Sequence, residues 1–220
     1  MAKKISRARR FRYEHALVEQ GVTLIAGVDE AGRGPLAGPV FAAAVIFPVD
    51  WITGAMPKAL RGINDSKQLT PEEREVLFAE ITGRSEIRFG IAQVDVQMID
   101  QINILQASHR AMNAALAQLN PAPQHALVDG LRVASMALAH TAIVGGDGLS
   151  YSIGAASILA KVTRDRLMVE LDGEYPGYGF AEHKGYGTPE HLAAIKALGA
   201  CAIHRQTFSP FRLRQADMFE

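Results

Sequence analysis

Two apolar runs near the start of the chain, at residues 22–30 and 40–47, constrain the fold more than any other feature of the sequence. Both runs are rich in β-branched and small apolar residues, and each has the length of a buried strand. The turn between them contains two Gly-Pro pairs. The pattern predicts two buried strands that form a hairpin.

The rest of the chain alternates helical and strand-like patterns. A capping box at residues 70–73 predicts the start of a helix that buries Val76, Leu77 and Ile81. Further strands are predicted at 88–95, 125–128 and 141–144, and further helices at 98–119, 155–171 and 189–198. In the helix at 155–171, Arg164 and the charged residues beside it are predicted to face solvent. A hairpin followed by alternating strands and helices indicates an α/β fold with a mixed sheet flanked by helices.

The composition narrows the class of protein further. The longest apolar run, residues 40–49, is about half the roughly 20 residues of a membrane-spanning helix, so no membrane association is expected. A single cysteine, Cys201, suits a reducing compartment and predicts a cytoplasmic protein. No Gly/Ser or Pro linker divides the 220 residues. We therefore expect a lead-in at 1–21, a catalytic domain at 22–172 and an extension at 173–220 packed on that domain.

Charge is balanced over the whole chain, at 23 basic and 23 acidic residues, but it is unevenly distributed. Residues 1–12 contain six basic residues and no acidic one, which leaves a net charge of −6 for the rest. This basic arm is either a solvated, frayed terminus or a tail that contacts nucleic-acid phosphates.

Acidic residues follow three of the predicted strands. Asp29 and Glu30 end the first strand, whereas Asp129 and Asp147 follow two later ones. Single acids of this kind are often caps or turn residues. Four carboxylates at the strand ends of one sheet would repel one another unless cations lie between them, and oxygen ligands favour Mg²⁺ or Mn²⁺ over Zn²⁺. Two such ions about 4 Å apart would catalyse phosphoryl transfer.

A loop of glycines around one arginine, Gly32-Arg33-Gly34, follows the first acidic pair. Because glycine has no Cβ atom, the backbone of this loop can approach a nucleotide closely and hydrogen-bond a ribose 2′-hydroxyl. Arg33 would add a contact to a phosphate or a sugar. Asp29 and Glu30 are neighbours on a strand and should point to opposite faces, so the longer Glu30 must reach round to join the other acids.

Several ordered segments resemble bacterial ribonuclease HII over about residues 22–212. They are Gly27-Val28-Asp29-Glu30-Ala31-Gly32-Arg33-Gly34-Pro35, Asn64-Asp65-Ser66-Lys67, Asn103-Ile104-Leu105-Gln106-Ala107, Val128-Asp129-Gly130, the run from Ala155 to Asp165, and the segment from Tyr175 to Thr188. So many segments in the same order make the resemblance specific.

The resemblance implies a ribonuclease H-like fold, with a five-stranded sheet and a helical C-terminal extension. It also implies an endonuclease that hydrolyses RNA in RNA–DNA hybrids and cuts 5′ of single ribonucleotides in duplex DNA, leaving 3′-hydroxyl and 5′-phosphate ends. Such an enzyme uses Mg²⁺ or Mn²⁺ and acts in ribonucleotide excision repair and DNA replication. We expect it to act as a monomer. Its four acids correspond to Asp29, Glu30, Asp129 and Asp147. Its substrate-binding residues correspond to Gly32, Arg33, Gly34, Ser66, Lys67, Lys184 and Tyr186.

Other interpretations of these residues stay open at this point. Tyr186 could be a core aromatic residue, and Ser66, Lys67 and Lys184 could be ordinary loop residues. The chain has Leu131 where the family commonly has asparagine, and Gly145 where it commonly has lysine. A different ribonuclease H-like nuclease, such as a junction resolvase, would share the acids. A hybrid-binding protein without activity would lack one of them, and a purely structural hybrid-binding subunit would not need a complete set.

Overall fold

A mixed five-stranded sheet lies at the centre of the computed structural model, which describes residues 10–211. Its strands are β1 (Ile25–Ala31), β2 (Val40–Ile46), β3 (Arg88–Val94), β4 (His125–Asp129) and β5 (His140–Ile143). The spatial order is β3-β2-β1-β4-β5. The pairs β1–β2 and β2–β3 are antiparallel, whereas β1–β4 and β4–β5 are parallel. The predicted hairpin and mixed sheet are therefore confirmed.

Helices cover both faces of the sheet. They are α1 (Arg12–Val18), α2 (Val49–Thr53), α3 (Pro71–Thr82), α4 (Val96–Ala117), α5 (Tyr151–Glu174), α6 (Phe180–His183) and α7 (Pro189–Leu198), with 3₁₀ turns at Lys58–Gly62, Ser66–Gln68 and Gly146–Gly148. Helix α4 packs on one face and α5 on the other. A Cβ atom on Gly27 would lie 2.0 Å from the carbonyl carbon of Ser152. Only glycine at this position lets α5 approach β1 so closely.

The helix starts follow the sequence signals, but two details differ. Helix α3 begins at Pro71 with the predicted capping box. Leu77 and Ile81 are buried, whereas Val76 is 63% exposed, so its predicted burial is wrong. It lies one residue off the i, i+4 stripe that faces the core. Helix α4 is interrupted at Asn103, which has φ of 67° and whose side chain accepts hydrogen bonds from the amides that start the second part.

The predicted solvent-facing position of Arg164 is also wrong, because this residue is only 1% exposed. Helical periodicity correctly identifies the side of α5 that packs on the sheet. The opposite side of α5 is covered by α6 and the loop that follows it. That covering segment follows α5 in the chain and folds back over it, so the periodicity within α5 gives no sign of it.

The C-terminal extension packs on the turn between β1 and β2. The amide of Gly38 donates to Ile203 at 2.9 Å, and the amide of Arg205 donates to Leu36 at 2.9 Å. A small apolar cluster that includes Tyr178, Phe180, Ile195 and Phe211 fills the interior of the extension. The boundaries at 21/22 and 172/173 remain predictions.

The predicted basic arm lies partly outside the described residues, which begin at position 10. Arg10 donates to the side chain of Asn64 at 2.6 Å, and the ring of Phe11 contacts the rings of Phe47 and Tyr151. Arg10 and Phe11 therefore belong to the folded domain rather than to an arm. Within residues 10–211, the helices are too short or too polar for any of them to cross a bilayer.

Candidate active site

The strand register brings the first and third predicted acids together. Val28 pairs with Val128 across the parallel β1–β4 ladder, and Asp29 and Asp129 each follow by one residue. Side chains at matching positions of parallel neighbours point to the same face, and adjacent strands are about 4.8 Å apart. Both carboxylates therefore leave the sheet at one edge, on the face that α5 covers, where Asp29 is 5% exposed.

The fourth acid reaches the same edge through the turn after β5. Asp147 lies in the 3₁₀ turn Gly146–Gly148 and is 9% exposed. The amide of Gly146 donates to the Asp129 carboxylate at 2.6 Å, which ties this turn to the end of β4. Asp147 in turn accepts from the amide of Gly148 at 2.8 Å. Asp129 and Asp147 are thus held by backbone amides.

The pKa values of the acids reflect their crowding. Burial, followed by repulsion from Glu30 and Asp129, holds the pKa of Asp29 well above its ordinary value. Burial, followed by repulsion from Asp129 and Asp65, raises the pKa of Asp147 to about 6. Burial also raises the pKa of Glu30, against the effect of the adjacent Arg33. The sheet edge therefore concentrates more negative charge than the protein alone neutralises.

Two basic side chains approach this negative charge. Arg33 is half exposed and forms an ion pair with Glu30 at 3.2 Å. Burial alone would lower the pKa of Lys67, but Asp65, Asp147 and the neighbouring acids raise it above its ordinary value. Lys67 therefore lies near the predicted acids, and its contact with the nucleic-acid backbone stays a prediction.

Ser66 and Asp65 take positions that the sequence interpretation did not assign. The Ser66 hydroxyl is buried and lies 2.9 Å from the hydroxyl of Ser157, which hydrogen-bonds Asp29. Ser66 therefore supports Asp29 indirectly, through Ser157, from the interior of the protein. Asp65 raises the pKa of Asp147 and is a fifth carboxylate near the site. The sequence signal for Asp65 is the segment at 64–67, in which the resemblance assigns a role only to Ser66 and Lys67.

The glycine–arginine loop and Tyr186 are neighbours. A Cβ atom on Gly34 would lie 3.6 Å from Cε1 of Tyr186, and the Tyr186 side chain is 42% exposed. Tyr186 is therefore a surface residue rather than a core aromatic residue. The backbone carbonyl of Tyr186 accepts from Nδ1 of the buried His191 at 2.8 Å, which fixes the segment from inside. Lys184, directly after α6, has φ of 52°, and its ammonium group donates to the carbonyl oxygen of Ala181 in that helix.

The donor set fits hard divalent cations. The acids offer oxygen ligands only, and added positive charge would relieve the crowding that helps to raise the pKa values of Asp29 and Asp147. Within the described part of the chain, however, no three histidine, cysteine, aspartate or glutamate side chains lie close enough together to hold a metal ion by themselves. Water and substrate would have to supply the remaining ligands of an ion bound here.

The family model for ribonuclease HII matches residues 26–210. The chain belongs to the ribonuclease HII family. Ribonuclease HII of Ruminiclostridium cellulolyticum is 52% identical over 196 residues, 89% of this chain and 74% of the relative. The Geobacillus thermodenitrificans protein of the same name is 53% identical over 201 residues, 91% of this chain and 74% of the relative. The solved ribonuclease H2 of Pyrococcus horikoshii has a TM-score of 0.72 and 28% identity, covering 89% of this chain and 99% of that one.

Membership in the ribonuclease HII family confirms the predicted fold and class of activity. The protein has a ribonuclease H-like fold, with the five-stranded sheet and flanking helices described above. It is a ribonuclease H, a metal-dependent endoribonuclease.

Proposed function

We propose that the enzyme hydrolyses the phosphodiester bond on the 5′ side of a ribonucleotide, in RNA–DNA hybrids and at single ribonucleotides within duplex DNA. Asp29, Glu30, Asp129 and Asp147 hold the divalent ions. The observation that carries this proposal is the convergence of Asp29 and Asp129 at the ends of two adjacent parallel strands, with Asp147 tied to the same edge.

The acids act by binding cations and orienting water and phosphate. When bound, a pair of divalent ions activates water and stabilises the leaving oxygen of the phosphodiester. Oxygen from water joins phosphorus, the bond to the 3′ oxygen breaks, and the products carry a 3′-hydroxyl and a 5′-phosphate. Mg²⁺ and Mn²⁺ both suit the oxygen-only donor set. A cation bound at Glu30 would compensate the charge that Arg33 now compensates, and would leave Arg33 available for the substrate.

Recognition of the ribonucleotide is the role of Gly32, Arg33, Gly34 and Tyr186. The loop amides bond the 2′-hydroxyl, and the exposed ring of Tyr186 packs on the deoxyribose beyond the cut. The closeness of Gly34 and the Tyr186 ring supports this division, since the two sugars on either side of one phosphate must be read together. The metal ions cannot make this distinction, because every phosphate presents the same charge to them.

The remaining predicted substrate-binding residues act on the substrate through their charge or support the side chains that bind it. Lys67 lies among the acids and neutralises the scissile phosphate, and Lys184 contacts the nucleic-acid backbone. Ser66 acts indirectly, through Ser157 and Asp29. Since one chain supplies the whole set, we propose that the enzyme works as a monomer. The single cysteine of the sequence suits the reducing cytoplasm, where the enzyme would serve ribonucleotide repair and replication.

The decisive experiment offers the purified enzyme a DNA duplex that contains one ribonucleotide. With Mg²⁺ or Mn²⁺ we expect a single cut 5′ of the ribonucleotide, with 3′-hydroxyl and 5′-phosphate ends. Excess chelator should abolish cleavage, and added Mg²⁺ or Mn²⁺ should restore it. A matched all-DNA duplex is the control and should stay intact. Cleavage in excess chelator, or a cut at another position, would contradict the proposal.

A further inference from the structure

Two fully buried arginines lie behind the loop and Tyr186. Arg205 is 0% exposed and Arg164 is 1% exposed. Burial lowers the pKa of Arg205 to about 9 and that of Arg164 to about 10, so both remain charged at neutral pH. Within residues 10–211 neither forms an ion pair with a carboxylate. A buried, unpaired charge is strongly unfavourable unless its hydrogen bonds are satisfied.

Arg205 directs its guanidinium group at the glycine–arginine loop. It donates to the carbonyl oxygen of Gly32 at 2.6 Å, to that of Arg33 at 3.0 Å, and to that of Gly38 at 2.7 and 3.0 Å. Two consecutive carbonyl groups of the loop are therefore held toward one buried cation. The fixed fork of an arginine side chain suits such a set of acceptors, whereas a lysine ammonium group does not reproduce it.

These bonds determine where the amides of the loop point. In a planar trans peptide unit the N–H is antiparallel to the C=O of the preceding residue. When Gly32 and Arg33 turn their carbonyl groups inward, the N–H groups of Arg33 and Gly34 point outward. Neither amide donates to another group in the part of the chain that the structure describes. Two free donors are thus presented side by side on the outer side of the loop.

Arg164 connects the same loop to the segment before Tyr186. Its three nitrogens donate to the carbonyl oxygens of Pro39, Ala37 and Lys184, each at 3.0 Å. A Cβ atom on Gly32 would lie 2.1 Å from Nε of Arg164, so the loop packs directly on this side chain. One guanidinium group therefore contacts both sides of the proposed recognition site.

We propose that Arg205 and Arg164 are positioning residues that set the direction of the Arg33 and Gly34 amides and the distance from the loop to Tyr186. They control discrimination between ribose and deoxyribose and leave the metal-binding acids unaffected. The inference rests on the proposed function, because it assigns a purpose to the amides only if the loop reads a 2′-hydroxyl.

The test compares substrates that differ only in the substituent at one 2′ position. Duplexes carrying a 2′-hydroxyl or a 2′-fluoro group at one position are cleaved under single-turnover conditions, and the ratio of their kcat/KM values measures the 2′ contact. Fluorine accepts hydrogen bonds poorly, so loss of the amide contact should bring the ratio toward one. We expect Arg205→Met to reduce it roughly tenfold or more, with Arg205→Lys intermediate, and Arg164→Lys to reduce it less.

A stability control separates positioning from folding. Ile81→Val removes a methylene from a buried residue of α3, remote from the loop, and should leave the ratio unchanged. Where Arg205→Met fails to fold, Arg205→Lys and Arg164→Lys still decide the question. Folded arginine variants that keep the wild-type ratio would overturn this inference alone. A wild-type enzyme that cleaves 2′-hydroxyl and 2′-fluoro duplexes equally would overturn the proposed role of the loop as well.

Discussion

Two regions of the molecule stabilise buried charge in opposite ways. One is the carboxylate edge of the sheet, with Asp29, Asp129 and Asp147, and the other is the arginine layer beneath the loop, formed by Arg164 and Arg205. At the edge, burial and, after it, repulsion from neighbouring acids raise the pKa values of Asp29 and Asp147. Beneath the loop, every guanidinium nitrogen of Arg164 and Arg205 donates to a carbonyl oxygen. The charge of the first region is fully compensated only by the cations that we propose it binds, whereas the hydrogen bonds of the second are satisfied within the chain.

The two regions therefore have different purposes: the carboxylate edge suits the chemistry of cleavage, and the arginine layer fixes the geometry of the loop. Strong local repulsion is tolerated where ions and phosphate are to enter, and such sites are expected to limit stability while they provide function. Satisfied polar groups hold a loop in one conformation without reacting themselves. Changes at the carboxylate edge should therefore remove activity with little loss of stability, and changes in the extension should alter selectivity or stability first.

The largest effect is expected from Asp129→Asn. The asparagine side chain can still accept the hydrogen bond from Gly146, but one ligand charge is lost. Cleavage of a single-ribonucleotide duplex should fall at least about 100-fold. The thermal midpoint should hold or rise, since one repelling charge is removed. Asp50→Asn, an exposed acid on α2, is the matched control and should change neither quantity. Near-full activity of Asp129→Asn would remove this residue from the site.

A smaller effect is expected at the boundary between the two regions, at Tyr186. Tyr186→Ala should reduce cleavage at a single embedded ribonucleotide about 10- to 100-fold, because the face that packs on the deoxyribose is lost. Tyr186→Phe keeps the ring and should lose less than about threefold. Both variants are compared on a single-ribonucleotide duplex and on a long RNA–DNA hybrid under one metal condition. Equal losses for the two variants would point to the hydroxyl group, and no loss for alanine would exclude Tyr186.

The acids were predictable from the sequence, whereas the arginine layer was not. Asp29, Asp129 and Asp147 follow apolar strands, and strand ends of one sheet meet at an edge, so local patterns were sufficient. Two of the three carbonyl groups that accept from Arg164 belong to residues more than 100 positions away, and no periodicity within α5 reports that. The acceptors are backbone carbonyl groups, which every residue has, so the residue types at these positions do not indicate the hydrogen bonds.

The resemblance supplied what the chemistry of single residues could not. Tyr186 in a glycine-rich segment resembles a core aromatic residue when its sequence is considered alone, yet the ring is partly exposed. Ser66 illustrates the reverse case, since a loop serine next to a lysine suggests a surface contact, but its hydroxyl is buried against Ser157. Exposure depends on how distant segments cover one another, which a sequence pattern does not encode.

The pKa of a buried histidine in the extension shifts in the direction opposite, in its effect on stability, to the pKa values of the buried acids at the sheet edge. The amide of Cys201 donates to Nδ1 of His204, Nε2 of His204 donates to Nε2 of His191, and Nδ1 of His191 donates to Tyr186. Both rings are therefore neutral. Burial, followed by repulsion from His191, lowers the pKa of His204 to about 4.

Because the ordinary pKa of histidine is about 6.5, the unfolded chain binds more protons than the folded chain between pH 6.5 and 4. The contribution of His204 to stability should be complete above pH 6.5 and decrease as the pH falls toward 4. Denaturant unfolding at pH 7.5 and pH 5 measures this decrease. His204→Gln, which cannot titrate, should lose less stability between these two pH values than the wild type does. The raised pKa values of Asp29 and Asp147 change stability with pH in the opposite direction, but these acids are present in both proteins. An equal decrease in stability of the wild type and of His204→Gln would therefore contradict the assignment of this pH dependence to His204.

The smallest effect is expected from the basic N-terminus, which belongs to neither region. Arg10 and Phe11 contact the folded domain, so a deletion should stop at residue 9. Removing residues 2–9 deletes four basic residues and no acidic one. Each lost phosphate contact should make the slope of log affinity against log salt shallower by about 0.9. Affinity for ribonucleotide-containing and all-DNA duplexes should fall by the same factor, because charge alone does not read the 2′-hydroxyl. Replacing the four basic residues with glutamine is the matched control for chain length, and unchanged slopes in both variants would show that these residues make no phosphate contact.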